Sequence, residues 1–279
     1  IIIGNGTLRY IGAGDVCNRS IALRGNAAID ASGSGPLELT ARGGAKRVYQ
    51  FNVNDGDDFP LTLTGTGTGS LAGVMQMDWG CLHKKGSGTW YLGGILSNLE
   101  TFVHEGTLVV NGRMVSDVYV KPGAVLEGNG DVARDLTVSG IIKPGQSVGT
   151  FDAGYLTMTP GSVYEWEVDA INGTADVIRV GSTLELPDDA PNSVTVKVVQ
   201  VGSSSEAILP AFTFEMFAGD INALFVDTSD TDYEQPSVTL DTSSISIGVV
   251  PEPCAAVVLL LAAVFCRRGA GQSRGVHVE

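Results

Sequence analysis

Gly106-Thr107-Leu108-Val109-Val110-Asn111-Gly112 is a short apolar run closed by glycine at both ends, and close variants follow it. Gly123-Ala124-Val125-Leu126-Glu127-Gly128 comes next, then Gly140-Ile141-Ile142-Lys143-Pro144-Gly145. The leading glycines stand 17 residues apart twice, and the next comparable unit begins at Gly161, slightly further on. Between them lie alternating stretches such as Val118-Tyr119-Val120 and Leu136-Thr137-Val138. Two or three short strands in each such interval, with a turn after each, predict one coil of a parallel β-solenoid. Each coil buries little until its neighbours stack on it.

The surrounding chain has the same character. Its 279 residues include 37 glycines without a Gly-X-Y period, which excludes collagen, and an apolar content of 43% predicts a folded chain. Glycine and asparagine suit tight corners, and Val, Ile and Thr suit flat strand faces. In 162–168, Tyr164, Trp166 and Val168 share one face, and Val163, Glu165 and Glu167 the other. Phe212, Phe214 and Met216 alternate likewise against Thr213 and Glu215. No long amphipathic helix is visible before residue 250.

A resemblance sharpens this reading. Lys84-Lys85-Gly86-Ser87-Gly88-Thr89-Trp90-Tyr91-Leu92-Gly93-Gly94, followed by Val103 to Gly112, resembles the autotransporter-associated β-strand repeat. The segment Lys143-Pro144-Gly145-Gln146-Ser147-Val148-Gly149-Thr150 is similar to the Pro-Gly-x-Ser-x-Gly-Thr stretch that often follows it. The resemblance spans roughly residues 4–180 and departs at 95–102, read as a loop that lacks the usual Asn-Thr-Tyr-x-Gly. No run of membrane-barrel strands with aromatic girdles follows.

The C-terminus carries a different signal. Pro251-Glu252-Pro253 reads as a rigid turn that ends the folded part, followed by an apolar run from Cys254 to Cys266 and then Arg267-Arg268. That run spans about 20 Å as a helix, against a hydrocarbon core of about 30 Å, so a buried core helix is the competing reading. The flanking Val249 and Val250 and snorkelling arginines favour a membrane helix, with Arg267 and Arg268 as the cytoplasmic stop. This order resembles the PEP-CTERM sorting signal. The resemblance implies an exosortase-type transpeptidase as partner, recognition at Pro251, Glu252 and Pro253, and an inner-membrane intermediate before release to the cell surface or beyond. The tail 269–279 is longer than the family usually carries. No secretory signal precedes Gly4-Asn5-Gly6, so the chain is read as N-terminally truncated.

Charge and reactive residues bound the function. The net charge is −14, and within 151–250 many Asp and Glu face only two basic residues, Arg179 and Lys197, a surface that repels nucleic acid. Cys17 and Cys81 show no metal-ligand spacing and are read as small buried fillers. Asp55, Asp57 and Asp58, and separately Asp227, Asp230, Asp232 and Glu234, suit solvated turns, or at most weak Ca²⁺. Glu165 and Glu167 share a strand face, but carboxylates are too common here to mark a hydrolase. His83, His104 and His277 belong to no nucleophile motif, and Trp79, Trp90 and Trp166 read as core more readily than as sugar platforms.

These readings combine into an all-β chain: a right-handed parallel β-helix with a C-terminal β cap and one C-terminal hydrophobic transmembrane helix. Solenoid coils are expected over 1–84, the repeat region over 85–200, an acidic cap over 201–248, the sorting segment over 249–268 and a polar tail over 269–279. The expected function is that of an exported, non-enzymatic envelope or matrix protein, structural or adhesive, meeting the bacterial membrane and extracellular polysaccharide, without a cofactor. The rival is a carbohydrate-active enzyme or polysaccharide-binding protein on the same scaffold.

Overall fold

Strands begin one or two residues after each leading glycine: Thr107–Val110 after Gly106, Val125–Gly128 after Gly123, Ile141–Pro144 after Gly140 and Val163–Asp169 after Gly161. The computed structural model describes residues 1–19, 21–23, 25–40, 49–50, 60–77 and 80–252. Along the main ladders, successive strands pair in parallel with the strand one coil away. Thr68, Thr89, Thr107, Val125, Ile141, Val163, Thr195 and Phe225 stand in register from coil to coil. The shortest of these coils runs from Val125 to Ile141 and the longest from Val163 to Thr195. Among the described residues the fold is all-β, mainly parallel sheets stacked in the manner of a β-helix.

A regular coil has three straight segments. The long strand Ile95–Val103 contains two of them: its first part pairs with Met75–Met77 and its second with Leu82–Lys84. The register slips between Ser97 and Glu100, where the chain bends. The stretch 95–102 is therefore strand with an irregular corner, not a loop. Asn98 braces this corner: its side-chain amide donates to the carbonyl of Glu100 at 2.6 Å and to Thr101 Oγ1 at 3.0 Å. Thr107–Val110 forms the third segment.

Stacking turns alternation into columns. Trp90, Leu108, Leu126, Ile142 and Tyr164 lie in one inward column and are fully buried. Burying a large apolar side chain contributes roughly 1.5–3 kcal/mol, so the columns hold the coils together. Trp90 finds space because Gly69 lies below it; a Cβ there would come 2.6 Å from the indole. Its Nε1–H donates to the carbonyl of Thr64 at 3.0 Å.

Glycines are needed where corners touch. A Cβ at Gly112 would stand 1.9 Å from the carbonyl oxygen of Gly94, and one at Gly94 equally close to that of Gly73. Lys84 sits between Leu63 and Val103 in an apolar column and is fully buried. Its ammonium donates to the carbonyls of Lys85 at 3.1 Å, Gly86 at 2.7 Å and Glu105 at 2.8 Å. The Lys-x-Gly-x-Gly-Thr pattern is thus a corner bolt: the lysine ties two coils through backbone carbonyls of both. Burial lowers its pKa to about 8, opposed by the Glu105 charge.

Parallel pairing runs past residue 200, with Val194–Gln200 against Leu224–Asp227. It turns antiparallel where Ser244–Pro251 pairs with Ala207–Thr213 on one side and Tyr233–Leu240 on the other. The expected alternation fails at Met216. Phe212 and Phe214 are buried, but the strand ends at Thr213 and a new one, Met216–Ala218, starts after a bend, leaving Met216 exposed. Pro251 does not stand in a free turn either: it ends a strand opposite Tyr233, and the Glu252 N–H donates to the carbonyl of Asp232 at 2.8 Å. Among the described residues no helix is long and apolar enough to cross a membrane, and the expected C-terminal helix lies outside them.

Candidate functional site

One outward column carries charges in sequence: Glu127, Lys143, Glu165 and Lys197 succeed one another from coil to coil. Lys143 Nζ pairs with Glu165 at 2.5 Å, and Lys197 turns to Asp230 at 3.0 Å. Beside Lys143, a cavity of about 200 Å³ opens among Glu127, Lys143, Gln146, Glu165, Glu167 and Asp176. Its rim includes Pro144-Gly145-Gln146, the start of the Pro-Gly-x-Ser-x-Gly-Thr segment.

Asp176 anchors this region. Fully buried, it accepts from the Gly149 N–H at 2.7 Å through Oδ1 and from the Glu167 N–H at 3.0 Å through Oδ2. Its own carbonyl accepts from Trp166 Nε1–H at 2.8 Å. Burial raises its carboxyl pKa to about 7, against the pull of the two backbone donors and with a further push from Glu167. Glu167 is also raised, by burial first and then by Glu127 and Glu165, and one of its oxygens is buried without a partner. Glu127 is raised by burial, with Lys143 opposing. The cavity therefore gathers carboxyls whose pKa values are shifted upward, the direction a general acid needs.

A second constellation lies on another flank. His83 Nδ1 is 3.0 Å from His104 Nε2, one coil away. His83 stacks on Phe102 (centroids 5.3 Å apart, 16° between planes), which stacks on Tyr119 (5.1 Å, 14°). Lys121 Nζ stands 5.5 Å from the centroids of both Phe102 and Tyr119. Partial burial, then nearby positive charge, lowers the pKa of both histidines.

Other expected candidates separate. Trp90 and Trp166 are fully buried core residues and offer no sugar platform. Asp227 closes its own turn on the Ser229 N–H, Asp230 pairs with Lys197, and Asp232 accepts from Gln200 Nε2, so this acidic group does not converge. Among the described residues, no three His, Cys, Asp or Glu side chains are placed to hold a metal ion together. Cys17 and Cys81 are half-buried and form no disulfide. Of the sorting residues, Pro251 and Glu252 sit at the cap edge, while Pro253, Arg267 and Arg268 lie outside the described residues, as do Asp55, Asp57, Asp58, Trp79 and His277. Asp176 was not singled out from sequence, and His83 and His104 were weighed there only as separate residues. Sequence spacing alone does not pair them: His83 stands opposite Phe102 in register, and His104 follows two residues later.

No protein-family model matches the chain. Two curated proteins are similar to parts of it. The Adhesin BmaC autotransporter of Brucella suis biovar 1 (strain 1330) is 32% identical over 154 residues, covering 51% of this chain and 4% of the adhesin. The Extracellular serine protease of Serratia marcescens is 36% identical over 102 residues, covering 36% of this chain and 10% of the protease. The chain thus spans a small part of either relative, and the similarity is of the kind expected for autotransporter-like repeats.

Proposed function

We propose that this chain is the rigid β-helical part of an exported bacterial protein of the cell surface or extracellular matrix, structural or adhesive rather than enzymatic. The two similar proteins, one named an autotransporter adhesin and one an extracellular protease, support a secreted or surface β-helical protein. The observation that carries the reading is the unbroken column register from Thr68 to Phe225, which builds a stiff rod with regular outward faces. We take the coil as right-handed, in keeping with parallel crossover connections generally.

The tail completes the proposal. Pro251, Glu252 and Pro253 act as the recognition segment for an exosortase-type transpeptidase, 254–266 as a transient inner-membrane helix, and Arg267 and Arg268 as its cytoplasmic stop. The test is a pair of tags in the native host, one inserted in the exposed loop at Gly202-Ser203 and one after Glu279. A site before Val249 would break a buried strand. Separation of the tags, with the first reaching the envelope or medium, is expected. Both tags on one soluble cytoplasmic chain would sink the sorting reading.

A carbohydrate-active enzyme or polysaccharide-binding protein is the second reading, favoured by the raised carboxyls at the 200 Å³ cavity. Glu167→Gln and Asp176→Asn discriminate. Loss of hydrolysis of an envelope polysaccharide by the folded variants supports an enzyme; adhesion that persists in both supports the scaffold.

A further inference from the structure

The outer flank holds two imidazoles that no part of the fold requires there. His83 lies in Leu82–Lys84, and His104 directly follows the strand Ile95–Val103 in the next coil. Both are half-buried, so neither fills the core, and both face solvent on the side opposite the apolar columns. We propose that His83 and His104 form a two-imidazole site for a borderline divalent transition ion such as Zn²⁺, Ni²⁺ or Cu²⁺, with water or an external ligand completing its shell.

The geometry supports this in three ways. First, nitrogens bound to one such ion at about 2.0–2.1 Å lie about 2.9 Å apart at a right angle and about 3.3 Å apart at the tetrahedral angle. The observed Nδ1 to Nε2 separation of 3.0 Å lies within that range, so one ion reaches both nitrogens once each ring turns its lone pair off the N···N line toward a shared point. Second, the rings are held. Phe102 stacks on His83 and lies 6.0 Å from His104 at 28°, and the His104 backbone N–H donates to the carbonyl of Lys84 at 2.9 Å. Preset ligands lose little freedom on binding. Third, imidazole is the donor preferred by Zn, Ni and Cu, whereas the oxygen-rich loops elsewhere in the chain would suit harder cations.

The surrounding charges set the expected strength. Lys85 faces both rings, Lys121 adds to the positive side at His104, and Glu105 opposes them there. Their balance weakens attraction for a cation, so affinity must come from the two nitrogens. The competing explanation is a plain histidine–histidine hydrogen bond, which needs no ion.

Titration of the chelator-stripped full chain with Cu²⁺, Ni²⁺ or Zn²⁺ alone separates the two. Calorimetry is expected to find one equivalent bound, and the Cu²⁺ resonance spectrum to show two nitrogen ligands. His83→Gln and His104→Gln should each weaken binding about tenfold or more, since removing even an outer partner of a ligand costs about 10–100-fold. His277→Gln should bind as the parent does. Should either ligand variant lose its fold, Lys85→Gln keeps both rings, removes an exposed positive charge and should tighten binding. Absence of binding, parent-like binding by His83→Gln or His104→Gln, loss of binding in His277→Gln, or no tightening in Lys85→Gln would each overturn the site.

Discussion

The coils between Thr68 and Val163 and those beyond solve one problem by different means. In the first region the coils are short, and corners are glycines packed against the carbonyls of the coil below. In the second, from Val163 to Thr195 and from Thr195 to Phe225, each coil is about half as long again. Their excursions are closed by side chains: Asp169 accepts from the Asn172 backbone and amide, and Asp220 does the same for Asn222. Beside the positive-φ glycines Gly173, Gly202 and Gly219, the non-glycine residues Asp189, Asn192 and Gln235 also adopt the left-handed backbone there. The lesson is that glycine spacing sets a short coil by steric contact. Polar turn residues tolerate a longer coil because they bring their own hydrogen bonds.

The largest test removes a buried anchor of the first region. Trp90→Ala should cost about 3–5 kcal/mol by urea unfolding, from cavity formation and the stranded Thr64 carbonyl, whereas Phe225→Ala, on a half-exposed site of the last coil, should cost under about 1 kcal/mol. Equal losses would mean that the two regions are not distinct in packing.

Protonation separates the regions further, because buried Lys84 lies in the first and buried Asp176 in the second. Asp176 has a folded pKa of about 7, above its usual 3.8, so the native state holds the extra proton between those values. Its contribution is fully favourable below its usual pKa and is lost as pH rises through the folded one. Lys84 has a folded pKa of about 8, below its usual 10.5, so the unfolded chain holds the extra proton and stability rises between those two values. Each swing is on the order of 3–4 kcal/mol, at about 1.36 kcal/mol per pKa unit. Asp176→Asn should flatten the acid limb of a melting-temperature profile, and Lys84→Met the alkaline limb. A variant profile parallel to the parent's would refute the corresponding assignment.

Corner chemistry gives the next contrast. Gly112→Ala forces a Cβ onto the Gly94 carbonyl and should cost about 1–3 kcal/mol, whereas Gly202→Ala meets open space and strains only its positive φ, about 1 kcal/mol. The smallest effect is expected at Lys143→Gln. It removes a partly exposed ion pair with Glu165, worth less than about 1 kcal/mol and fading with salt.

Much of this architecture was legible in the chain itself. Glycine spacing and period-two alternation are local properties, and they located the strand units from Thr107 to Val168 and separated the two faces of 162–168, because turn chemistry and pleat act over a few residues. The Lys84–Gly94 stretch marked a repeat. What these clues left open was which residue lies above which. The coil from Val163 to Thr195 is twice as long as the one from Val125 to Ile141, and a slip of a single position moves every side chain to a new neighbour. Lys84 bonding to Glu105, His83 meeting His104, and Asp176 binding Gly149 and Glu167 all depend on that register. The alternation at Phe212 to Met216 failed because the strand ends at Thr213 and restarts at Met216, and a hydrophobic pattern does not mark that bend. Local chemistry determined the strands and corners; the tertiary stack alone decided which polar groups share a site, because it alone sets the distance between coils in sequence.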